Sequence, residues 1–294
     1  MATESKRTAP VATGLAPGLY LVATPIGNAR DITLRALDVL AGAEVLVAED
    51  TRQLRQLMEI HGIALGGRPL VSYHDRNGPA RRPQIEAWLG EGRAVAYCSD
   101  AGTPLVADPG FRLAQMAIAG GHALTAVPGA SAVLAALSLS GLATDRFLFA
   151  GFLAPKSAAR RTALAELAQV PATLVFYESP RRLGAFLADA AAVLGARPAA
   201  VARELTKRFE EVRRAPLDAL AATYAAEEAR GEIVVAIAPP DPVQQAEEKA
   251  AGLDAALEAA MAEASLKDAA RTVAERLGLP RREVYARALE IARR

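Results

Sequence analysis

The stretch YCSDAGTPLVADPG, residues 97–110, ends an apolar run in Ser99 and Asp100 and then places two glycines and two prolines within ten residues. Proline fixes φ and glycine permits close approach of the backbone, so a stiff turn with exposed amide groups is predicted. Asp108 and Pro109 are predicted to start the next helix, as N-cap and first-turn proline. A carboxylate in front of such a turn is typical of a loop that holds a small polar molecule.

Around this stretch, short apolar runs alternate with amphipathic segments. Five strands are predicted, each followed by a helical segment: 18–24, 43–50, 69–74, 93–100 and 122–129. Repeated strand-then-helix order predicts an α/β layer with a mostly parallel sheet. Because the carboxyl ends of parallel strands meet at one edge, where ligands bind, the loops after them are the candidate site.

Three of these loops combine proline with glycine, namely TPIGNARD (24–31), SDAGTPLVADPG (99–110) and VPGASA (127–132). Ser131 is predicted to cap the helix after the fifth strand, so that neighbouring amide groups can receive a carboxylate or phosphate. A tight strand-to-helix turn explains any one loop alone. Three at one edge favour a pocket for a small, polar and partly apolar ligand.

A second block is predicted to form a mixed sheet, from strands at 146–153, 172–179, 198–206, 208–215 and 231–239, with the third and fourth joined by a tight turn. PPDPVQQ (239–245) reads as a linker before Ala-rich helix. Four segments are therefore predicted: a flexible N-terminal segment 1–17, an α/β domain 18–144, a second α/β domain 145–240 and a helical segment 241–294.

Composition excludes several classes of protein. The chain has 34 basic and 33 acidic residues among 294, so its total charge indicates no partner. A single cysteine excludes a disulfide framework, and no apolar run approaches the roughly 18 residues of a membrane span, so a cytoplasmic protein is expected. His61, His74 and His122 lie in separate elements, which makes a metal site unexpected. Neither GxxxxGK[ST] nor GxGxxG occurs.

Charge is segregated near the C-terminus. Residues 241–265 carry six acidic residues and one basic residue, whereas residues 266–294 carry eight basic and four acidic residues. The basic part holds a helical segment, a Gly-Leu-Pro turn and a second helical segment that starts with Arg281 and Arg282, a pattern similar to a helix-turn-helix. Either RNA binding or a helical hairpin that packs on the body or pairs two chains accounts for it.

Eight ordered motifs resemble the tetrapyrrole methylase superfamily: LVATPIGNARDITLRAL, VAEDTR, SYHDRN, SDAGTPLVADPG, VPGASA, GFLAPK, FYESPRR and RELTKRFEE. The resemblance implies two α/β domains that bind S-adenosylmethionine in a cleft between them, and a homodimer. More narrowly, the motifs resemble the branch that methylates the ribose 2′-oxygen of a cytidine in 16S ribosomal RNA. GFLAPK departs from that branch at Ala154, where proline usually follows the leucine.

The resemblance also implies the site residues. Those expected to border the cofactor are Pro25, Gly27, Asp100, Gly102, Thr103, Ser131, Ala132 and Tyr177. A ribose hydroxyl is a poor nucleophile, so a base or a cation near it is expected. Glu178 is the candidate base or hydroxyl orienter, Arg181 the candidate phosphate clamp and Lys156 a third candidate. A Glu178–Arg181 ion pair that caps the next helix is the alternative.

RNA contacts are expected from Arg76 and Arg81, in the loop after the third strand, and from Arg281 and Arg282. The substrate would be 16S ribosomal RNA, within the small ribosomal subunit. Two other readings stay open. One is a methyltransferase acting on a corrinoid or another tetrapyrrole, which shares the cofactor loops. The other is a non-enzymatic ribosome-assembly factor that binds RNA.

Overall fold

The computed structural model describes residues 14–293, without the side chains of 243–249. Most of the predicted N-terminal segment 1–17 therefore lies outside the described residues. The chain forms two compact units. The first contains the residues up to Leu167 together with Ala172–Ala238, and the second contains Ala168–Pro171 together with the residues from Pro239 onward. Within the described range, no helix is long and apolar enough to cross a membrane.

The first sheet has five parallel strands in the order β3-β2-β4-β1-β5. Their bounds are β1 Gly18–Val22, β2 Val45–Ala48, β3 Leu70–Ser72, β4 Ala94–Cys98 and β5 Leu124–Val127. The helices between and after them are α1 Leu34–Gly42, α2 Thr51–Ile60, α3 Gly78–Gly90, α4 Phe111–Ala119 and α5 Ala132–Ser140. The predicted parallel α/β layer is confirmed.

Both faces of this sheet are covered, which explains its continuous apolar strands. Leu46 and Val22 belong to one core with the inner side of α1 and α2. Leu19 and Tyr97 belong to the opposite core with α3 and α4. Since β1 lies between β4 and β5, the three proline- and glycine-containing loops start from adjacent strands.

The second sheet has the order β6-β7-β10-β8-β9 and is mixed, as predicted, because only β6 and β7 run parallel. Its strands are β6 Phe147–Gly151, β7 Thr173–Glu178, β8 Pro198–Arg203, β9 Glu211–Pro216 and β10 Ile233–Ile237. Its helices are α6 Ser157–Leu167, α7 Leu183–Leu194 and α8 Leu217–Ala226.

The connection between β8 and β9 is longer than predicted. Strand β8 stops at Arg203 because Glu204 and Thr206 adopt left-handed conformations, with φ of 50° and 64°. Residues 204–210 therefore form a wide turn rather than a tight one.

Helix α5 joins the two sheets into one unit. Val133, Ala136 and Leu137 of this helix share a buried core with Val175 and Val234 of the second sheet. The carboxyl edge of the first sheet consequently faces the second sheet.

The C-terminal unit contains α9 Pro242–Met261, α10 Leu266–Leu277 and α11 Arg281–Ile291. Ser265 caps α10, and Gly278 ends it in a left-handed conformation with φ of 64°. A small apolar core around Leu257, Val273 and Val284 holds the three helices together. The predicted pair of helices separated by a Gly-Leu-Pro turn is confirmed, and α9 packs against both.

Candidate functional site

A cavity of about 450 Å³ lies between the carboxyl edge of the first sheet and the second sheet. From the first sheet it is lined by Glu49, Ser99, Asp100, Gly102, Thr103, Asp108, Ser131 and Ala132, and from the second by Phe152, Tyr177, Glu178, Ile233 and Val234, among others. Loops after β2, β4 and β5 thus converge on one side, while aromatic and apolar groups together with Glu178 and Glu232 form the other.

Most of the predicted cofactor residues lie in this cavity, namely Asp100, Gly102, Thr103, Ser131, Ala132 and Tyr177, and so does Glu178. Pro25 and Gly27 line an adjoining cavity of about 310 Å³ that shares Ile26, Ser99 and Asp100 with it. Arg181 is placed differently, in a groove on the far side of Ser179 and Pro180. Lys156 is exposed at the end of the loop after β6.

The remaining predicted contacts lie on the surface. Arg76 is exposed in the turn before α3, and Arg81, in that helix, bonds to Gln84. Arg281 and Arg282 are exposed in the first turn of α11, where Arg281 pairs with Glu275.

Hydrogen bonds tie the three loops together. Thr24 and Gly102 exchange two backbone hydrogen bonds of 3.0 Å, which link the loop after β1 to the loop after β4. The hydroxyl of Thr103 donates to Ala130 O at 3.0 Å, which links the loop after β4 to the loop after β5. Gly102 has a φ of 78°, a conformation that glycine adopts without strain. The stiffness predicted from proline and glycine thus has a second source in these cross-links.

Asp100 is held by the start of α2. Its Oδ1 accepts a hydrogen bond of 2.7 Å from Asp50 N, and its Oδ2 accepts one of 3.3 Å from Gln53 Nε2. Burial raises the pKa of Asp100, and the Asp50 amide opposes that shift. The carboxylate is therefore fixed in orientation at the boundary of the two cavities.

Asp108 does not start α4, contrary to the prediction. The helix begins at Phe111 with Gly110 as N-cap, and Asp108 Oδ1 accepts hydrogen bonds from Tyr97 OH at 2.8 Å, Gly110 N at 2.8 Å and Leu105 N at 3.2 Å. The buried Tyr97 hydroxyl needs an acceptor, and Asp108 supplies it, so the loop folds around this carboxylate. Within the described residues its Oδ2 is buried without a hydrogen-bond partner.

Glu49 was missed by sequence reasoning. It follows β2 directly and lines the cavity. Burial raises the pKa of Glu49 to about 7, helped by the carboxylates of Asp100, Asp108, Asp75 and Asp50. Its only signal is its position at the end of a predicted strand, in VAEDTR. The cavity wall contributed by the first sheet is thus acidic, which suits a cationic ligand.

Gly27 makes room for the second sheet. A Cβ at this position would lie 2.5 Å from Lys207 Cγ and 2.8 Å from Thr206 Oγ1. The next amide, Asn28 N, donates to Thr206 Oγ1 at 3.0 Å. The turn 204–210 therefore packs directly onto the loop after β1, beside the smaller cavity.

The Glu178 side chain is buried at the end of β7 and paired with Arg182 rather than Arg181. Its Oε1 accepts a hydrogen bond of 2.7 Å from Ser179 N, and its Oε2 accepts one of 3.1 Å from Arg182 Nη2. The same Nη2 donates to Leu153 O at 2.6 Å. The ion-pair alternative is thus corrected in its partner, since Arg182 turns toward the β6 loop while Arg181 faces the outer groove.

Comparison with known proteins gives two family matches. A family described as Tetrapyrrole (Corrin/Porphyrin) Methylases matches residues 18–221, and one described as RsmI C-terminal HTH domain matches residues 247–292. Among solved structures, the methyltransferase CobJ superposes with a TM-score of 0.57 at 22% identity, covering 77% of this chain and 95% of that one. A Thermus thermophilus uroporphyrin-III C-methyl transferase complexed with S-adenyl homocysteine superposes with a TM-score of 0.54 at 20% identity, covering 74% and 96%. These structures establish the shared fold.

Curated relatives narrow the family. A protein of Mesorhizobium japonicum named Ribosomal RNA small subunit methyltransferase I is 48% identical over 279 residues, 94% of this chain and 93% of that protein. The protein of the same name in Pseudomonas aeruginosa is 42% identical, over 92% of this chain and 96% of that protein. The resemblance seen in the eight motifs is confirmed. The chain therefore belongs to the ribosomal RNA small subunit methyltransferase I family, within the tetrapyrrole methylases.

Proposed function

We propose that this enzyme transfers a methyl group from S-adenosylmethionine to the ribose 2′-oxygen of a cytidine in 16S ribosomal RNA. The observation that carries the proposal is the cavity itself, in which Asp100 and Glu49 form an acidic wall beside three cross-linked loops. S-adenosylmethionine carries a sulfonium and an amino group, so two carboxylates complement its charge. The family membership supports ribosomal RNA as the methyl acceptor.

The residues present fit that cofactor. Asp100 and Glu49 would face its cationic groups, and the buried Oδ2 of Asp108 adds further negative potential. Ser131 accepts a hydrogen bond from Leu134 N and caps α5, so the first amides of that helix suit the cofactor carboxylate. Tyr177 and Val234 provide apolar surface opposite.

The bound cofactor supplies an activated methyl group on sulfur, so the chain has mainly to align the acceptor oxygen with it. A rigid frame is suited to that task, and the hydrogen-bonded loops provide one. Glu178 as the base, Arg181 as the phosphate clamp and Lys156 as a third polar group remain proposals. Because Glu178 is already paired with Arg182, the role of Glu178 would be to orient the ribose 2′-hydroxyl or to keep Arg182 in place.

The proposal extends to the setting of the reaction. We infer a cytoplasmic homodimer that acts on the assembled small subunit, and light scattering tests the dimer.

The direct test of the proposed function maps ribose methylation in small-subunit RNA from cells that lack this enzyme, after incubation with enzyme and S-adenosylmethionine. One new 2′-O-methylcytidine is expected, and free RNA is compared with intact subunits. Methylation of a tetrapyrrole instead of RNA would replace the proposal with its alternative.

Cofactor binding should depend on pH through Glu49. Below a pH of about 7 this carboxyl is protonated and its attraction for a cation is lost, so affinity should rise as pH increases through 7. We expect about fivefold tighter binding at pH 8 than at pH 6, which corresponds to a fall in the Glu49 pKa from about 7 to about 6 on binding. Calorimetry at several pH values measures this.

The matched control is Glu49→Gln, which keeps the shape of the side chain and removes its titration. A flat pH profile in this variant assigns the dependence to Glu49. An unchanged slope would assign the pH dependence to a group other than Glu49.

Replacing Glu178 with glutamine should slow turnover more than it weakens cofactor binding. The amide still accepts a hydrogen bond, but the ion pair with Arg182 is lost, and with it the fixed position of the Leu153 carbonyl. We expect turnover to fall by about 10²-fold or more, the usual contribution of a positioned acid or base. Single-turnover kinetics and calorimetry separate the two effects. A normal rate would restrict Glu178 to a structural role.

A further inference from the structure

Phe152 is a large apolar side chain that lines the cavity and yet is 58% exposed. Burial of an aromatic ring is favourable, so a ring left exposed at the rim of a functional site is a candidate contact for a bound partner. We propose that the base of the target nucleotide stacks on the Phe152 ring after that nucleotide has unstacked from its neighbours in the RNA. This inference rests on the proposed function and deepens it.

The loop that carries the ring is anchored at two points. Leu153 O accepts the 2.6 Å hydrogen bond from Arg182, and Pro155 O accepts one of 3.2 Å from Arg160 Nη1. Arg160 is itself buried and pairs with Asp189 at 2.5 Å. Two internal ion pairs thus hold the loop from beneath, and a ring fixed in this way loses little entropy when a ligand stacks on it.

Tyr177 supports the Phe152 ring from within the cavity lining. The Phe152 centroid lies 5.5 Å from that of Tyr177 in an edge-to-face arrangement, and Tyr177 packs in the same way against Phe149 at 4.7 Å. Gly151, with a φ of 65°, turns the chain out of β6 just before Phe152. The contact with Tyr177 fixes the tilt of the Phe152 ring while much of its surface stays open.

The distribution of charge favours RNA over the cofactor as the stacking partner. Carboxylates line the cavity from the first sheet, where they would repel phosphate, whereas Phe152 belongs to the second sheet. The two lining carboxylates of the second sheet, Glu178 and Glu232, are paired with Arg182 and Lys207. The same loop ends in the exposed Lys156, and Arg181 lines the groove that shares Ser179 and Pro180 with the cavity. Unpaired bases stack on aromatic side chains while nearby cations hold the phosphates.

Recognition of one nucleotide supplies the reason for it to unstack. Sequence-specific recognition of RNA mostly uses single-stranded nucleotides whose bases are splayed out and stack on aromatic side chains. A cytosine stacked on this ring at the rim would hold its ribose at the mouth of the cavity, close to the methyl group to be transferred. Phe152 would then be a positioning residue for the acceptor oxygen.

The test compares Phe152→Ala with Phe152→Trp and uses Phe209→Ala as the matched control. Phe209 is 63% exposed in the turn 204–210 and is not among the residues that line the cavity. Phe152→Ala should lower kcat/KM for small-subunit RNA at least about fivefold, the lower end of what one base–aromatic stack contributes. Tryptophan should restore it, and Phe209→Ala should leave it unchanged. Calorimetry should find the affinity for S-adenosylmethionine unchanged in all three variants.

A second readout observes the stack itself. Pyrrolocytidine at the mapped target position should lose fluorescence on binding to the wild-type enzyme and should keep it on binding to Phe152→Ala. An equal loss of S-adenosylmethionine affinity in Phe152→Ala would place the cofactor adenine on the ring and overturn the inference. Unchanged RNA kinetics together with unchanged quenching would also overturn it. If the wild-type enzyme fails to methylate the RNA, the proposed function falls, and this inference with it.

Discussion

The substitution Asp100→Ala is expected to weaken S-adenosylmethionine binding by one to two orders of magnitude, since a hydrogen bond to a charged group contributes about 1.5–3 kcal/mol. Asp100 lines both cavities, and Asp50 N and Gln53 Nε2 set the direction of its two oxygens. The substitution removes one negative charge from the acidic wall and leaves the Asp50 amide without its acceptor. Isothermal titration calorimetry measures the loss directly.

Two further variants separate charge from geometry. Asp100→Asn keeps an acceptor for the Asp50 amide, so a loss of affinity similar to that of alanine would assign the effect to charge. Asp145→Ala removes an exposed carboxylate outside the cavity and should bind normally. Because Asp100 helps to raise the pKa of Glu49, both Asp100 variants should also move the pH dependence of binding to lower pH. Unchanged affinity in Asp100→Ala would remove this residue from the site.

Much of the site was predictable because a parallel sheet brings the loops after its strands to one edge. Asp100, Ser131 and Thr103 were identified by this rule together with family resemblance, and all three line the cavity. Strand order could not be read from local patterns. The neighbours of β4 proved to be β1 and β2, and the second of these places Glu49 beside Asp100.

Other features depend on tertiary contacts that sequence periodicity does not encode. The pattern Asp-Pro-Gly reads as a helix start, yet Asp108 bonds to Tyr97, which lies on a strand 11 residues earlier. Glu204 and Thr206 take left-handed conformations where their turn packs onto the loop at Gly27. Arg182 rather than Arg181 reaches Glu178, and consecutive arginines give no local sign of which one pairs.

Deleting residues 241–294 is expected to leave S-adenosylmethionine binding within about twofold of wild type and to lower methylation of small-subunit RNA by about 10³-fold. The cavity is formed within the unit that ends at Ala238, and the C-terminal helices have their own core. Residues 266–294 carry eight basic and four acidic residues, and phosphate contacts dominate RNA affinity. Six to ten such contacts make RNA affinity vary by about 10³- to 10⁵-fold between about 50 and 200 mM salt, so removing the segment that supplies them should cost a factor of this order. Filter binding and methyl-transfer assays on one preparation test both halves of the expectation.

A milder variant distinguishes lost contacts from lost folding. Arg281→Ala with Arg282→Ala removes two exposed cations from the first turn of α11 and leaves the core residues Leu257, Val273 and Val284 in place. If both arginines contact phosphate, the slope of log affinity against log salt should become shallower by about two, with unchanged helix content. We expect this shallower slope because residues 266–294 carry a net positive charge, and Arg281 and Arg282 present part of that charge at the start of α11. Equal activity in the truncated enzyme, or an unchanged salt slope in the double variant, would assign α10 and α11 to packing or chain pairing instead.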